Sequence, residues 1–305
     1  MGDMLDIGSG QDGHRLDDTG PARYDRQMQL PLIRPMTPGD VDSIVAGFLR
    51  EGWGDRRSTL DFVAVHRASR PFVAVANGDV VGTGVASVNG SVGWIGTVWV
   101  DPAWRRRGLG MALTQATIDA AEAAGCRTLV LVATAAGRRL YERIGFTVQS
   151  TYRILEASGT ASGVIDPRIR PFHKADLAAM GQLANLATGE DRTHLLRAFA
   201  TPQTARCLDH PDGSLGGFTV RAPWGGGHTI APGLADGIAI LESRRAVRGP
   251  NERVRAGLVE ENETGLERLL EAGWTDAWRA PRMIRGEALN WQPTFIWGQF
   301  NFAMG

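Results

Sequence analysis

Three arginines and two glycines share six consecutive positions with a single leucine in RRRGLG, residues 105–110. Such a cluster can grip nucleic acid, decorate a solvated loop, or frame a bound phosphate. An apolar run ends at Val100, and helical spacing resumes at Leu109, so the glycines fall where a strand hands over to a helix. Glycine has no Cβ, which lets a ligand approach the backbone closely. The first-turn N–H groups of a helix lack partners, and the helix dipole favours an anion beside them. Arginines add charge and bidentate contacts to phosphate oxygens. A diphosphate is the guest that suits this combination. A solvated loop, with Gly108 merely starting a helix, fits the six residues equally well. A dinucleotide fingerprint fails because G-x-G lacks its third glycine, and a Walker loop fails for want of GK[ST].

The flanking sequence must position this loop. LPLIRPM (30–36) reads as a strand. Thr37-Pro38 then reads as an N-cap followed by Pro in the first turn, with Val41, Ile44, Val45 and Phe48 at helical spacing. PFVAVA (71–76), Asn77-Gly78 and DVVGTGVASV (79–88) make a hairpin, and a second turn at Asn89-Gly90 leads into VGWIGTVWV (92–100). This is a three-stranded antiparallel meander. Gly93 and Gly96 are compatible with a bulge or a close backbone approach, and equally with plain strand glycines. Leu109, Ala112, Leu113, Ala116 and Ala120 continue the helix, with Gly125 as its stop. RTLVLVA (127–133) is a buried strand, a helix runs from near Thr134 to Gly145, and a last strand lies near 147–156.

The second half of the chain repeats the first. Ile33-Arg34-Pro35 returns as Ile169-Arg170-Pro171, and Asp40-Val41 as Asp176-Leu177. Further on, Gly137 matches Gly265, and Gly145-Phe146-Thr147 matches Gly273-Trp274-Thr275. The offset falls between these two sets, so the second copy has lost about eight residues. Its counterpart of the arginine-glycine loop is either IAPGLADG (230–237) or ESRRAVRGP (242–250), and neither keeps R-x-x-G-x-G.

Composition narrows the class. The chain has 305 residues, 43% of them hydrophobic, enough for two ordinary domains. Lys+Arg and Asp+Glu number 33 each, which argues against bulk binding to nucleic acid or an anionic membrane. Cys126 and Cys207 have no metal-type spacing and suggest a reducing cytoplasm without disulfides. No metal is expected. No apolar run approaches the roughly 18 residues of a membrane span, and no secretory signal is evident. Residues 1–27 are polar and Gly/Asp-rich, and are expected to stay disordered, with Met28 as an alternative start.

The order of helix, meander, R-x-x-G-x-G at a helix start, buried strand and LYERIGF (140–146) resembles the GNAT superfamily of acyl-CoA-dependent N-acetyltransferases. VWVDP (98–102), RRRGLG and LYERIGF carry the likeness over about residues 30–155. The repeat resembles a bacterial subgroup with a second, degenerate GNAT-like domain. The expected fold is therefore α+β, with two tandem GNAT-like domains, each a mixed, mostly antiparallel sheet flanked by helices. The expected division is a disordered 1–27, a catalytic domain at 28–156, a linker at 157–166, and a degenerate domain with an aromatic tail at 167–305.

The resemblance implies acetyl-CoA as co-substrate. Its pyrophosphate would lie on the loop, Arg105, Arg106, Arg107, Gly108, Leu109, Gly110 and Met111. Its pantetheine arm would pair with the backbone of Val98, Trp99 and Val100, where this strand splays from the next. A backbone N–H of that strand would hold the developing oxyanion. Tyr141 would protonate the leaving thiolate, and packing of its ring in the core is the competing account. Thr134 stands where family members often place an asparagine on the cofactor, although an N-cap explains it equally well. Leu269 replaces Tyr141 in the second copy, which is therefore read as structural or substrate-shaping.

No general base is assignable among Glu51, Asp61 and His66. Trp53 either walls the acceptor pocket or packs a helix on the sheet. The tail aromatics Trp291, Phe295, Trp297, Phe300 and Phe302 would pack on a domain, across a homodimer, or over the active slot. The expected partner is a small-molecule amine. Acetylation of a protein or peptide, and a catalytically silent acyl-CoA sensor, are the alternatives.

Overall fold

The computed structural model describes residues 31–305. The expected disordered extension, and the start at Met28, lie outside the described residues.

The first half begins with β1 (Leu32–Pro35) and a single 3-10 turn, Pro38–Asp40, leading into α1 (Val41–Arg50). Asp40 turns back to accept from the Thr37 N–H and hydroxyl at 2.7 and 2.8 Å, and Arg34 grips both of its oxygens at 2.8 and 2.7 Å. After α2 (Arg57–Val65) come β2 (Ser69–Ala76), β3 (Asp79–Asn89) and β4 (Val92–Val100), the expected antiparallel meander. Asn77 and Gly78 both take the positive φ that a tight hairpin demands. Next are α3 (Leu109–Ala123), β5 (Thr128–Val132), α4 (Ala135–Arg143) and β6 (Thr147–Ser158). The strand thus continues into the segment read as linker.

The second half repeats the order. It contains β7 (Ile169–Pro171), α5 (Leu177–Thr188), α6 (Thr193–Phe199), β8 (Ala205–Asp209), β9 (Leu215–Arg221) and β10 (Gly227–Ile230). Then come α7 (Leu234–Ala246), β11 (Arg253–Val259), α8 (Glu263–Glu271), β12 (Thr275–Gly286) and β13 (Ile296–Gly298). The repeat extends to side-chain contacts. Arg170 grips Asp176 at 2.8 and 3.0 Å, as Arg34 grips Asp40. Thr134 accepts from the Gly137 N–H at the start of α4, and Asn262 accepts from the Gly265 N–H at the start of α8.

The halves exchange strands. One sheet runs β1-β2-β3-β4-β5-β12-β6-β11, and the other β13-β10-β9-β8-β7. β12 of the second half lies between β5 and β6 of the first, and β6 pairs in turn with β11. Each half completes the other's sheet, so neither β5 nor β11 is left with an open apolar edge on that side.

A buried polar network ties the halves together. Glu190, on the turn between α5 and α6, accepts from Asn89 Nδ2 and Trp94 Nε1, both at 2.8 Å, and from Arg192 at 2.9 and 3.0 Å. Burial raises the Glu190 pKa, Arg192 and Arg282 pull it down further, and the balance lies below the ordinary carboxylate value. Arg282 is itself sandwiched between Trp94 and Trp291, with its guanidinium carbon 5.0 and 4.8 Å from their ring centroids.

Beside this network, His66 Nε2 meets His194 Nδ1 at 2.8 Å, and His194 Nε2 meets Asn89 Oδ1 at 2.9 Å. Burial, reinforced by the neighbouring His66, lowers the His194 pKa to about 4. In the unfolded chain it titrates near about 6.5. The unfolded state therefore binds the proton first, and His194 contributes its full stability above about pH 6.5. That contribution is expected to fade as pH falls from about 6.5 towards 4. Thermal unfolding midpoints measured across this range should decline, and His194→Asn should flatten the decline. An identical slope in the variant would refute the assignment.

Candidate functional site

β4 and β5 pair in parallel over three rungs only, Val92–Thr128, Gly93–Leu129 and Trp94–Val130. Beyond Trp94 they part. On its other side β4 stays paired with β3, but Val85 faces Gly96 while Thr83 faces Trp99, so β4 carries one extra residue there. The bulge centres on Thr97, whose φ is 53°. A β-branched residue at positive φ is strained, and such strain persists only where surrounding structure enforces it. Gly93 and Gly96 serve the close approach that the sequence allowed. A Cβ on Gly93 would come within 2.9 Å of Ala121 in α3, and one on Gly96 within 2.5 Å of Ala303.

After the bulge the strand alternates regularly. The Asp101 N–H donates to Val81 O at 2.9 Å, so the main-chain groups of Val98 and Val100 turn to the edge that β5 has left. Arg105 Nε holds Val100 O there at 2.9 Å. The Trp99 side chain points the other way, fully buried and edge-on to Phe48 at 5.6 Å. Trp99 therefore serves the core through its side chain and the open edge only through its backbone.

The loop from β4 to α3 is an exposed cradle. Asp101 caps the Pro102–Trp104 turn through the Ala103 N–H. Arg105 is committed to Glu51 by an ion pair, and the Arg107 guanidinium lies 5.3 Å from the Trp104 ring centroid. Arg106 and Gly108 take positive φ, 61° and 81°, and Gly108 is the N-cap of α3. Among the described residues, the N–H groups of Arg106, Gly108, Leu109, Gly110 and Met111 have no hydrogen-bond partner. A Cβ on Gly108 would meet nothing within 4 Å, and one on Gly110 would make ordinary contact with Val100 and Leu140. This is an open backbone nest at a helix N-terminus, a geometry that suits an anion.

Tyr141 stands on α4. Its ring packs, with Val98, against the cluster of Ile95, Leu131, Ala133 and Phe146. It meets Phe146 edge-on at 6.2 Å. Gly137 lets the ring lie close, since a Cβ there would be 2.9 Å from it. Among the described residues the Tyr141 hydroxyl has no hydrogen-bond partner, and burial pushes its pKa up to about 12. Thr134 is occupied as the N-cap of α4, accepting from Gly137 at 3.2 Å.

The base candidates fare differently. Glu51 is neutralised by Arg105, His66 is bonded to His194, and Asp61 is exposed on α2. Trp53 stacks on Phe48 with centroids 5.0 Å apart, which ties it to α1. Among the described residues no group of three or more His, Cys, Asp or Glu side chains could hold a metal, and no helix is long and apolar enough to cross a membrane.

The second half has no such site. Its strand-to-helix loop is Ala231–Gly233, so 230–237 is the counterpart of the arginine-glycine loop, and 242–250 lies at the far end of α7. β13 pairs along β10 and contacts β11. Trp297 donates to Ala231 O at 3.0 Å and packs where a Cβ on Gly237 or Gly265 would collide with it. The gap that stays open beside β4 is thus filled beside β10 by the chain itself. Leu269 is fully buried at the position matching Tyr141.

The aromatic tail packs on the body of the chain, with Trp297 and Phe300 buried. Its last turn reaches the first half. Ala303 sits against Gly96, and Phe302 packs on Tyr152 and Trp278, both at 5.3 Å. This contact could not be found in sequence, because nothing local links residues 96 and 303. The surplus of tail aromatics was the only hint.

Two sequence profiles match the chain. The "Acetyltransferase (GNAT) family" profile matches residues 40–146, and the "Acetyltransferase (GNAT) domain" profile matches residues 180–298. Together they span most of the sequence. Among solved structures, a Pyrococcus horikoshii protein provisionally described as an acetyltransferase aligns over 93% of this chain and 99% of its own, with a TM-score of 0.77 and 20% identity. A GCN5-related N-acetyltransferase from Sphaerobacter thermophilus aligns over 85% and 98%, with a TM-score of 0.60 and 18% identity. A tandem GNAT protein from the clavulanic acid biosynthesis pathway aligns over 85% and 98%, with a TM-score of 0.56 and 15% identity. At these identities the likeness establishes a shared fold. No curated protein matches the sequence.

Proposed function

Since this chain belongs to the GNAT family of acetyltransferases, we propose that its first half transfers an acetyl group from acetyl-CoA to the primary amine of a small molecule. One observation carries the reading. In the first half alone, among the described residues, a parted strand edge leads into an unfilled N–H cradle while a tyrosine ring packs beside Val98 of that edge.

The residues suit the co-substrate. The N–H groups from Arg106 to Met111 would take its diphosphate, with the loop arginines adding charge and Arg105 bracing the loop through Glu51. The free edge at Val98 and Val100 would pair with the pantetheine arm as an added strand. An N–H of that edge would also stabilise the developing oxyanion. The thioester supplies the acyl group, and the amine forms the new C–N bond as the C–S bond breaks. Tyr141, held protonated by a pKa of about 12, gives its proton to the departing sulfur. With Glu51 and His66 engaged elsewhere, the amine would lose its own proton to water. The second half serves as scaffold. Two buried free cysteines suit a reducing, cytoplasmic setting.

Tyr141→Phe tests the acid role. Turnover with acetyl-CoA over an amine panel should fall about 100-fold, the lower end of what a positioned acid contributes. The dissociation constant for acetyl-CoA, measured by calorimetry, should stay within about twofold, because the ring is retained. Unchanged turnover would remove Tyr141 from the mechanism. Binding of acetyl-CoA without turnover on any amine would favour the sensor.

A further inference from the structure

Three arginines gather on one face of the second half of the chain. Arg244, on α7, lays its guanidinium over Gly227 at the start of β10, where a Cβ would lie 3.0 Å from Nη2. Its Nη1 is sealed from solvent and has no hydrogen-bond partner. Gly227 pairs across the sheet with Arg221. Cross-strand partners project to one face, so the Arg221 side chain rises beside the Arg244 guanidinium. Arg248, just past α7, completes the group, and its charge and that of Arg221 both act on Arg244. Burial first, and these charges after it, lower its pKa to about 10. Glu252 answers only part of this charge, pairing with Arg248 at 2.7 Å. A sealed, unpartnered N–H on a half-buried guanidinium among like charges is costly unless an anion joins it. Glycine at 227 makes the room that any side chain would fill.

We propose that Arg221, Arg244 and Arg248 form a binding site for a phosphate group, separate from the cradle at residues 106–111. Arg244 supplies the unpartnered donor, and Arg221 and Arg248 supply charge from the rim. The shared chemistry is a phosphate dianion, whether of a free metabolite or of a headgroup.

The test uses the full chain without CoA. Thermal unfolding is followed against inorganic phosphate, with chloride at matched ionic strength as reference. Phosphate is also excluded from protein surfaces and stabilises folds generally, so the comparison between variants decides. The wild-type shift should saturate. Arg221→Gln, an exposed change, should need at least tenfold more phosphate for the same shift. Arg244→Met should lose the saturable shift, yet unfold in chloride no earlier than wild type, because it removes an unpaired buried charge. The shift should persist in Gly108→Val, which disables the other cradle. Phosphatidate vesicles that pellet the wild type but not Arg221→Gln would place the phosphate on a lipid. A shift that is equal in wild type and Arg221→Gln, or that never saturates, overturns the site. The comparison of wild type with Arg221→Gln decides the matter even if Arg244→Met fails to fold.

Discussion

Gly108→Val is expected to abolish acetyl-CoA binding while leaving the protein folded. Two effects act together. Position 108 has φ +81°, a conformation that a β-branched residue resists at a cost of about 1–2 kcal/mol or more. The new side chain would also project into the space between the free N–H groups, where the diphosphate must lie. Loss of those contacts is expected to weaken binding by at least about 100-fold, or roughly 2.7 kcal/mol. The same glycine has nothing within 4 Å of its would-be Cβ, so the change creates no clash in the free protein. Calorimetry should detect no binding at millimolar acetyl-CoA, and the unfolding midpoint should drop by only a few degrees. Gly110→Ala is the contrasting change. Its Cβ meets ordinary contacts at 3.7 and 3.8 Å on Val100 and Leu140, so binding should suffer less. Normal affinity in Gly108→Val would mean that the cradle is not the cofactor site.

Separating the halves should be as damaging, for a different reason. A fragment ending in the 159–163 segment keeps β1 to β6 but loses β12, which pairs with both β5 and β6. It also strips the cover from Trp94, Tyr152 and Phe48, all buried in clusters shared with the second half. Asn89 would lose its Glu190 and Met304 partners. Exposed apolar edges of this kind favour aggregation over folding. The isolated fragment should show no cooperative unfolding transition and no activity. Co-expression of both fragments should restore each, because the exchanged strands can pair across a chain break. A soluble, cooperatively folding first fragment would show that β12 is dispensable.

These two expectations draw on sequence to different degrees. The cradle was legible, because R-x-x-G-x-G concerns contiguous residues and local backbone sterics. Glycine at a strand-to-helix junction means much the same in any fold. The repeat was legible for a related reason. Arg34 and Asp40 lie on one turn, as do Arg170 and Asp176, so each pair is chemically complete within a short stretch. At Gly93 and Gly96 the structure has the close approach that glycine allows, while the bulge itself centres on Thr97, which takes the strained conformation. Glycine marks freedom, but here the neighbours of a β-branched residue impose its shape. The choice between 230–237 and 242–250 needed coordinates, because a count of arginines says nothing about which end of a helix they occupy.

Most elements of the first half, their order, the glycine-rich strand-to-helix loop and the presence of two copies are readable from the chain alone. All of these rest on interactions within a few residues, which periodicity and glycine placement record. Which copy keeps an open gap follows from three-dimensional packing, since it depends on β13 filling the space beside β10. The same packing decides that β6 and β12 change places and that Ala303 closes on Gly96. Such contacts join residues more than a hundred positions apart. Their energy comes from burying surface against surface, which is non-directional and leaves no spacing for a sequence to display.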